Sequence, residues 1–213
     1  MTINRLLPYF AVGMFAVQST AHAATTVYTN YAGFIAALTS FSVESFDSIP
    51  KLSSLTNPYS LTTGPYSYSV TAPGGLYSAG NLSDAWMSTN VTTDPIIFSF
   101  PSADIYAVGG YFFDSDVSGA FQAGNITIQT NDLTSQTVTG ATTTSFVGFI
   151  SSNPITTMSV TADQTGGSIW PTANDLVLGV PAAASPVPEP ASAMVNLILG
   201  GTGIGLTLRR RRR

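Results

Sequence analysis

The chain has 213 residues and a formal net charge of −4, with eleven acidic residues, seven basic residues, one histidine and no cysteine. Six of the basic residues lie at the two ends, so segment 24–185 carries one lysine against ten carboxylates, a formal charge of −9. One cation cannot neutralise a run of phosphates or dock on an anionic lipid surface, which excludes nucleic-acid binding and electrostatic attraction to such a membrane.

The first 23 residues have the features of a secretory signal peptide. Arg5 supplies the positive start, an apolar stretch runs over 6–17, and Ala21-His22-Ala23 gives the small-x-small pattern that signal peptidase cleaves. The apolar stretch is short for a membrane span, which disfavours a second transmembrane helix. We expect cleavage after Ala23, with Ala21 and Ala23 as the signal-peptidase site.

The mature domain lacks two residue types, histidine and cysteine, and this lack excludes several classes of reaction. The only histidine, His22, leaves with the signal peptide, and there is no cysteine. The mature domain therefore has no imidazole for general-base catalysis, no Ser-His or Cys-His pair, and no nitrogen or thiolate ligand for zinc. We expect a protein that is not an enzyme and that needs no cofactor, with Ca²⁺ as the one ion to consider.

The passenger domain, predicted over 24–180, is typical of β structure apart from one short helix near its start. Tyr31, Phe34, Ile35 and Leu38 recur at helical spacing behind a possible cap at Asn30, and this stripe is expected to pack on a sheet. Nine runs of β-branched and aromatic residues between turn formers predict strands at 43–46, 66–71, 96–100, 106–113, 125–129, 136–139, 145–150, 155–161 and 175–180.

Many short strands with turn signals about every ten residues favour two packed antiparallel sheets. We predict an all-β fold, an antiparallel jelly-roll-like β-sandwich. A β-helix is the alternative, but the chain lacks a repeat of fixed period. Pro154 predicts that 151–161 forms a hairpin turn. The Pro- and Ala-rich residues 181–187 are expected to be a linker.

Asp114 and Asp116 alternate directly after a hydrophobic strand. Oxygen ligands at this spacing can hold Ca²⁺, which is available outside the cell, so these two residues are the candidate metal ligands. The same composition suits a solvated hairpin turn, because Asp and Ser bond nearby backbone groups. Both interpretations stay open at this stage.

Trp86, Tyr66 and Tyr68 lie among Ser, Thr and Asn in a loop-rich region. Exposed rings form flat platforms for sugars, so these three are the candidate glycan contacts. The alternative is that the rings belong to the core, where aromatic side chains supply much of the buried area. Trp170, next to Pro171, is assigned to the core.

Two pairs of polar residues lie near opposite ends of the passenger: Glu44 with Asp47, and Asn174 with Asp175. They would meet if the first and last strands pair. Two carboxylates are the minimum requirement for glycoside hydrolysis, so a secreted carboxylate-dependent glycan hydrolase is the alternative function.

The C-terminal tail, 188–213, combines Pro188-Glu189-Pro190 with an uncharged apolar run over 191–208. As a helix this run covers about 27 Å, close to the thickness of a bilayer core. Five arginines follow the run: Arg209, Arg210, Arg211, Arg212 and Arg213. By the positive-inside rule these arginines stay in the cytoplasm, which places Pro-Glu-Pro on the outer side of the membrane. A plain single-pass anchor is the alternative interpretation of this tail.

This order of Pro-Glu-Pro, apolar helix and arginine cluster resembles the PEP-CTERM sorting signal, which exported proteins of Gram-negative, exopolysaccharide-making bacteria carry and the membrane protease exosortase processes. The resemblance implies signal peptidase and exosortase as partners, temporary anchoring in the inner membrane, and a mature protein at the envelope surface or in the extracellular matrix. Segments 109–113, 146–149, 154–156 and 174–179 also resemble β-sandwich passengers found before this signal. The expected function is a non-catalytic surface or matrix protein associated with exopolysaccharide or with its own self-assembly.

Overall fold

The structure, a computed structural model, describes residues 24–102 and 104–182. These residues form an all-β fold of fifteen strands, with one α-helix, α1 (Tyr31–Ala36), and one 3₁₀ turn (Gln164–Gly166). In chain order the strands are β1 (Thr25–Tyr28), β2 (Leu38–Glu44), β3 (Ser54–Leu55), β4 (Tyr59–Thr63), β5 (Tyr66–Thr71), β6 (Leu76–Gly80), β7 (Ala85–Thr89), β8 (Ile96–Ser99), β9 (Ala107–Ser115), β10 (Phe121–Gln122), β11 (Gly124–Thr130), β12 (Ser135–Ala141), β13 (Phe146–Ser151), β14 (Thr157–Ala162) and β15 (Trp170–Pro181).

The strands form two antiparallel sheets. The nine-stranded sheet has the order β1-β13-β9-β15-β7-β6-β3, with β10 paired to the end of β9 and β2 paired to the second half of β15. The six-stranded sheet has the order β12-β11-β14-β8-β5-β4. Phe98 and Val160 of the smaller sheet and Phe112 and Leu178 of the larger sheet belong to one buried cluster. The core therefore lies between the sheets, and burying each large apolar side chain contributes about 1.5–3 kcal/mol.

The predicted short helix is confirmed. Asn30 has an extended backbone, and its Oδ1 accepts a hydrogen bond of 2.7 Å from the Gly33 amide, which caps α1. The fully buried Phe34 lies on Gly148 of β13, where an added Cβ would come within 2.5 Å of the ring. The absence of a side chain at Gly148 thus lets α1 pack closely on the outer face of the larger sheet, as the apolar stripe predicted.

The predicted strand at 43–46 has the wrong bounds. β2 begins at Leu38, directly after α1, and ends at Glu44. Leu38 fits the helical spacing, but it reaches the cluster beneath α1 from a strand instead. Phe46 has a left-handed backbone, with φ of 61°, which ends the extended segment.

The predicted hairpin at 151–161 is also wrong. β13 pairs with β1 and β9 in the larger sheet, whereas β14 pairs with β11 and β8 in the smaller one. The segment around Pro154 therefore crosses from one sheet to the other. Ile155 is buried in this crossing, and its amide donates to the Ile105 carbonyl at 2.7 Å. A proline between two strands predicts that the chain turns, but it does not predict whether the two strands pair with each other.

The two ends of the described domain lie close together, at the start of β1 and the end of β15. The Ala24 carbonyl accepts a hydrogen bond of 3.1 Å from the Ser152 amide, and the Ala182 amide donates to the Ala37 carbonyl at 2.8 Å. Ala24 and Ala182 line the same shallow cavity, of about 350 Å³, next to Ile150.

The signal peptide 1–23 with Ala21 and Ala23, most of the linker, and the sorting signal 188–213 with its helix over 191–208 lie outside the described residues. Across 24–102 and 104–182, the structure has no helix with the length and apolar character needed to cross a membrane. β15 extends to Pro181, so the folded domain runs slightly past the predicted boundary at 180.

Candidate functional site

The three aromatic residues predicted to contact glycan are buried, so their predicted exposure is wrong. Tyr66, Tyr68 and Trp86 are only 4, 3 and 7% exposed. Trp86 packs edge-on against Phe113, with ring centroids 4.8 Å apart. Tyr66 and Tyr68 occupy alternate positions on the core side of β5, and Ser67 between them is exposed on the other side. The polar neighbours that suggested exposed tyrosines lie on the outer face of the strand, and the two rings lie on its inner face.

Asp116 holds the hairpin turn between β9 and β10. Its Oδ1 accepts hydrogen bonds from the Ser118 amide at 2.8 Å, the Ser118 hydroxyl at 2.6 Å and the Ala120 amide at 3.0 Å. The hydrogen bond from the Ser118 side chain is the main cause that lowers the pKa of Asp116 below its usual value. This geometry supports the interpretation of Asp116 as a turn residue.

Asp114 is fully buried, and neither carboxyl oxygen has a hydrogen-bond partner in the part of the chain that the structure describes. Burial, and next the charge of Asp163, raises the pKa of Asp114 to about 7. Within the described ranges no three acidic or histidine side chains are grouped so that they could hold a metal ion. Among the described residues, therefore, no third acidic side chain joins Asp114 and Asp116 as a ligand for Ca²⁺.

β2, the second strand, lies antiparallel to the last strand, β15, with Glu44 opposite Leu176. The first strand, β1, pairs with β13 instead, so the condition set for the two polar pairs is met through β2. The pairing of β2 with β15 brings a group of acidic residues together. Asn174 donates from Nδ2 to Asp84 Oδ1 at 3.3 Å, and Asp47 Oδ1 accepts from the Ala85 amide at 3.2 Å. Asp84 is a member of this group that the sequence patterns did not indicate.

Asp175 occupies an unusual backbone position in β15. Its φ is 47°, and the pairing of β15 with β9 shifts between Asn174 and Val177, which marks a β-bulge. Bulges and left-handed non-glycine residues occur preferentially beside functional sites, where they redirect a side chain. Burial is the main cause that raises the pKa of the Asp175 carboxyl, followed by the charges of Asp84 and Asp47.

The bulge places Asp175 at the wall of a cleft of about 460 Å³ on the outer face of the larger sheet. We call this the aromatic cleft, because three rings line it: Tyr31 at the start of α1, Tyr111 of β9 and Phe146 of β13. Its remaining lining residues are polar: Thr29, Asn30, Thr143 and Thr144.

The rings of the aromatic cleft form a compact group. Tyr31 and Tyr111 are stacked, with centroids 6.2 Å apart and planes inclined by 21°, and Phe146 meets each of them edge-on at 5.6 Å. Tyr31 is 37% exposed. Burial, then the negative charge of Asp175, raises the pKa of the Tyr111 phenol, so this phenol is uncharged at neutral pH. The cleft thus offers an apolar ring surface, hydroxyl and amide groups, and one carboxylate.

A second, smaller cleft of about 160 Å³ lies beside the β9–β10 turn and is lined by Tyr77, Trp170 and Asp116. Trp170 is half-buried there, so it is only partly a core residue as predicted. Beside it, Thr172 donates a hydrogen bond of 2.9 Å to the buried Ser115 hydroxyl. This cleft has about a third of the volume of the aromatic cleft.

Tyr31, Tyr111 and Phe146 were not candidates on sequence grounds. Tyr31 belonged to the apolar helical stripe, and the other two lie in hydrophobic runs that predict buried strands. The available signal was the polar side chains next to these rings, Asn30 before Tyr31 and Thr144 near Phe146. Comparison with known proteins adds nothing to this geometry: no protein-family model matches the chain, and no curated protein matches it significantly.

Proposed function

We propose that this chain is an exported, exosortase-processed protein of the cell surface or extracellular matrix of a Gram-negative bacterium, which binds exopolysaccharide without catalysis. The proposed export and location rest on the signal-peptide pattern at 1–23 and on the resemblance of 188–213 to the PEP-CTERM signal. The two antiparallel sheets with a shared core support a jelly-roll-like sandwich as the passenger.

The aromatic cleft is the observation that supports polysaccharide binding. Stacked, partly exposed rings give a sugar ring an apolar surface, and neighbouring Thr, Asn and Asp side chains can bond its hydroxyl groups. The cleft lies on the outer face of a sheet, so a long chain can pass over it without threading through a closed pocket.

Retention on immobilised polysaccharides tests the proposal. The full chain, kept soluble in a nonionic detergent, is applied to columns of a neutral glucan, an N-acetylglucosamine polymer, an amino-sugar polymer and a uronic-acid polymer. Tyr31→Ala is expected to weaken retention roughly three- to tenfold, as expected for the loss of one aromatic contact. Phe121→Ala is the matched control, because Phe121 is 41% exposed but lies on β10, away from the aromatic cleft. Equal loss in both variants would argue against this site.

The proposed export and processing are tested separately. Mass spectrometry of the protein exported by its native host is expected to give an N-terminus at Ala24 and a C-terminus near Pro188-Glu189-Pro190. An exported form that still ends at Arg213 would refute processing by exosortase.

A secreted glycan hydrolase is the second candidate, favoured by one observation. Asp175 has a raised pKa and lies near the carboxylates of Asp84 and Asp47, a combination found in acid catalysts. Release of new reducing ends from the same polysaccharides is the measurement. Activity that Asp175→Asn abolishes without unfolding would replace the non-catalytic function by this one.

A further inference from the structure

The surroundings of Asp175 carry uncompensated negative charge. Asp175, Asp84 and Asp47 are close enough for the latter two to raise the pKa of the first. Lys51 is the single lysine or arginine among the described residues, and its Nζ lies 3.6 Å from Asp47 Oδ1. One ammonium group against three carboxyl groups leaves two of the three without a cationic partner among the described residues.

The aromatic cleft adds a second feature that favours a cation. The faces of aromatic rings carry partial negative charge and attract ammonium groups placed within about 6 Å of their centroids. Tyr31 and Tyr111 stack beside Asp175, and Phe146 closes the group edge-on. A carboxylate next to stacked rings can bind an ammonium group through charge and a sugar ring through stacking at the same time.

The same features disfavour other polysaccharides. A uronic-acid chain would bring carboxylates towards Asp175, and no lysine or arginine lines the cleft to bind them. A neutral chain would gain the ring contacts but leave the carboxylate charge uncompensated.

We propose that the aromatic cleft recognises a polysaccharide with free amino groups, a partly or fully N-deacetylated amino-sugar polymer, in which Asp175 pairs with the ammonium group while Tyr31 and Tyr111 stack on the sugar ring. The proposal rests on the polysaccharide-binding function above and gives it a substrate class.

Two oligosaccharides that differ only in acetylation test it: a glucosamine hexamer and an N-acetylglucosamine hexamer with the same linkage. Titration calorimetry with the full chain in nonionic detergent is expected to give roughly tenfold tighter binding of the glucosamine hexamer, the size of one charge-assisted hydrogen bond. Asp175→Asn is expected to remove this preference. Asparagine tolerates a left-handed backbone, so the bulge should persist, and Asp175→Gly serves the same purpose if the asparagine variant melts early.

The matched control is Asp104→Asn, which removes one exposed carboxylate outside the cleft and changes the net charge equally. The proposal is supported if Asp104→Asn keeps the preference and the Asp175 variants lose it. Equal binding of the two hexamers by the unmodified chain, or equal loss in both Asn variants, would overturn the amino-group specificity and leave polysaccharide binding intact. Failure of the unmodified chain to bind either hexamer, together with no retention on any column above, would overturn both proposals.

Discussion

The carboxyl group of Asp114 lies directly against the backbone of Gly124, where an added Cβ would come within 2.5 Å of Asp114 Oδ2. Gly124 thus leaves space at the start of β11 for a carboxyl group that has no hydrogen-bond partner within the described residues. A charged group in such a position costs free energy, whereas a neutral one costs less.

Asp114 should make stability fall as the pH rises. Its pKa is raised from 3.8 to about 7 in the folded protein, so the folded state favours the protonated form. The stabilising effect is complete below pH 4 and is lost as the pH rises through about 7. Thermal melts of the full chain should therefore give a lower Tm at pH 8 than at pH 5. Asp114→Asn should flatten this slope and stabilise the protein by about 1–3 kcal/mol at pH 8. A slope that Asp114→Asn leaves unchanged would show that another group causes it.

Asp132 should have the opposite effect: it should make the stability of the fold decrease as the pH falls into the acid range. Burial alone would raise its pKa, but hydrogen bonds from Thr130, Thr25 and Thr134 lower the value on balance. The Thr25 bond, 2.5 Å long, ties β1 of the larger sheet to the β11–β12 turn of the smaller one. A lowered pKa stabilises the fold above about pH 4, and this stabilisation is lost as the pH falls through the folded value.

Asp132→Asn should therefore reduce stability at pH 6 by at most about 1 kcal/mol, since solvent screens the group, and the difference should close towards pH 3. Chemical denaturation at both pH values measures it, with Asp104→Asn as the control. A difference that is the same at pH 3 and pH 6 would exclude the carboxylate charge as its cause.

Gly148→Ala should destabilise the fold and disturb α1. The added methyl group would meet the Phe34 ring at 2.5 Å, and overpacking of this kind costs about 1–3 kcal/mol. In the double variant, Phe34→Leu should recover part of the loss, because the smaller side chain leaves room for the methyl group. Denaturation of the two single variants and the double variant measures this coupling. Strictly additive losses would show that the two residues do not conflict.

Asn30→Ala should weaken glycan binding as well as stability. Loss of the cap leaves the Gly33 amide without its side-chain partner, at a cost of about 0.5–2 kcal/mol, and loosens the start of α1, where Tyr31 lies. Asn30→Ser keeps a capping oxygen and should retain binding of the glucosamine hexamer. If both variants bind alike, capping has no influence on the position of Tyr31.

The sequence predicts those strands whose pattern is local. The strand predicted at 66–71 coincides with β5, because apolar and polar residues alternate there. β6 and β7 escape prediction, since Ala85, Ser88 and Gly80 are small residues with little strand preference. They become buried only because β7 pairs with β15, about 85 residues further along the chain.

The site was only partly predictable for a related reason. The sequence raised the possibility that a strand from each end of the domain pairs, and the pairing of β2 with β15 sets Glu44 opposite Leu176, the residue after Asp175. The stacking of Tyr31 on Tyr111 depends on how α1 docks on β9 and β13, which no local pattern encodes. Asn174-Asp175 tolerates left-handed backbone, but the same dipeptide would suit an ordinary turn, so it did not indicate a bulge within a strand.

The shared position of Ala24 and Ala182 has a consequence for access to the aromatic cleft. Ala24 and Ala182 line one cavity, so the segments before and after the domain are attached at one place on its surface. Phe146 lies four residues along β13 from Ile150, which lines the same cavity, a distance of about 13 Å. A polymer can therefore reach the aromatic cleft without crossing the place where the two flanking segments join the domain.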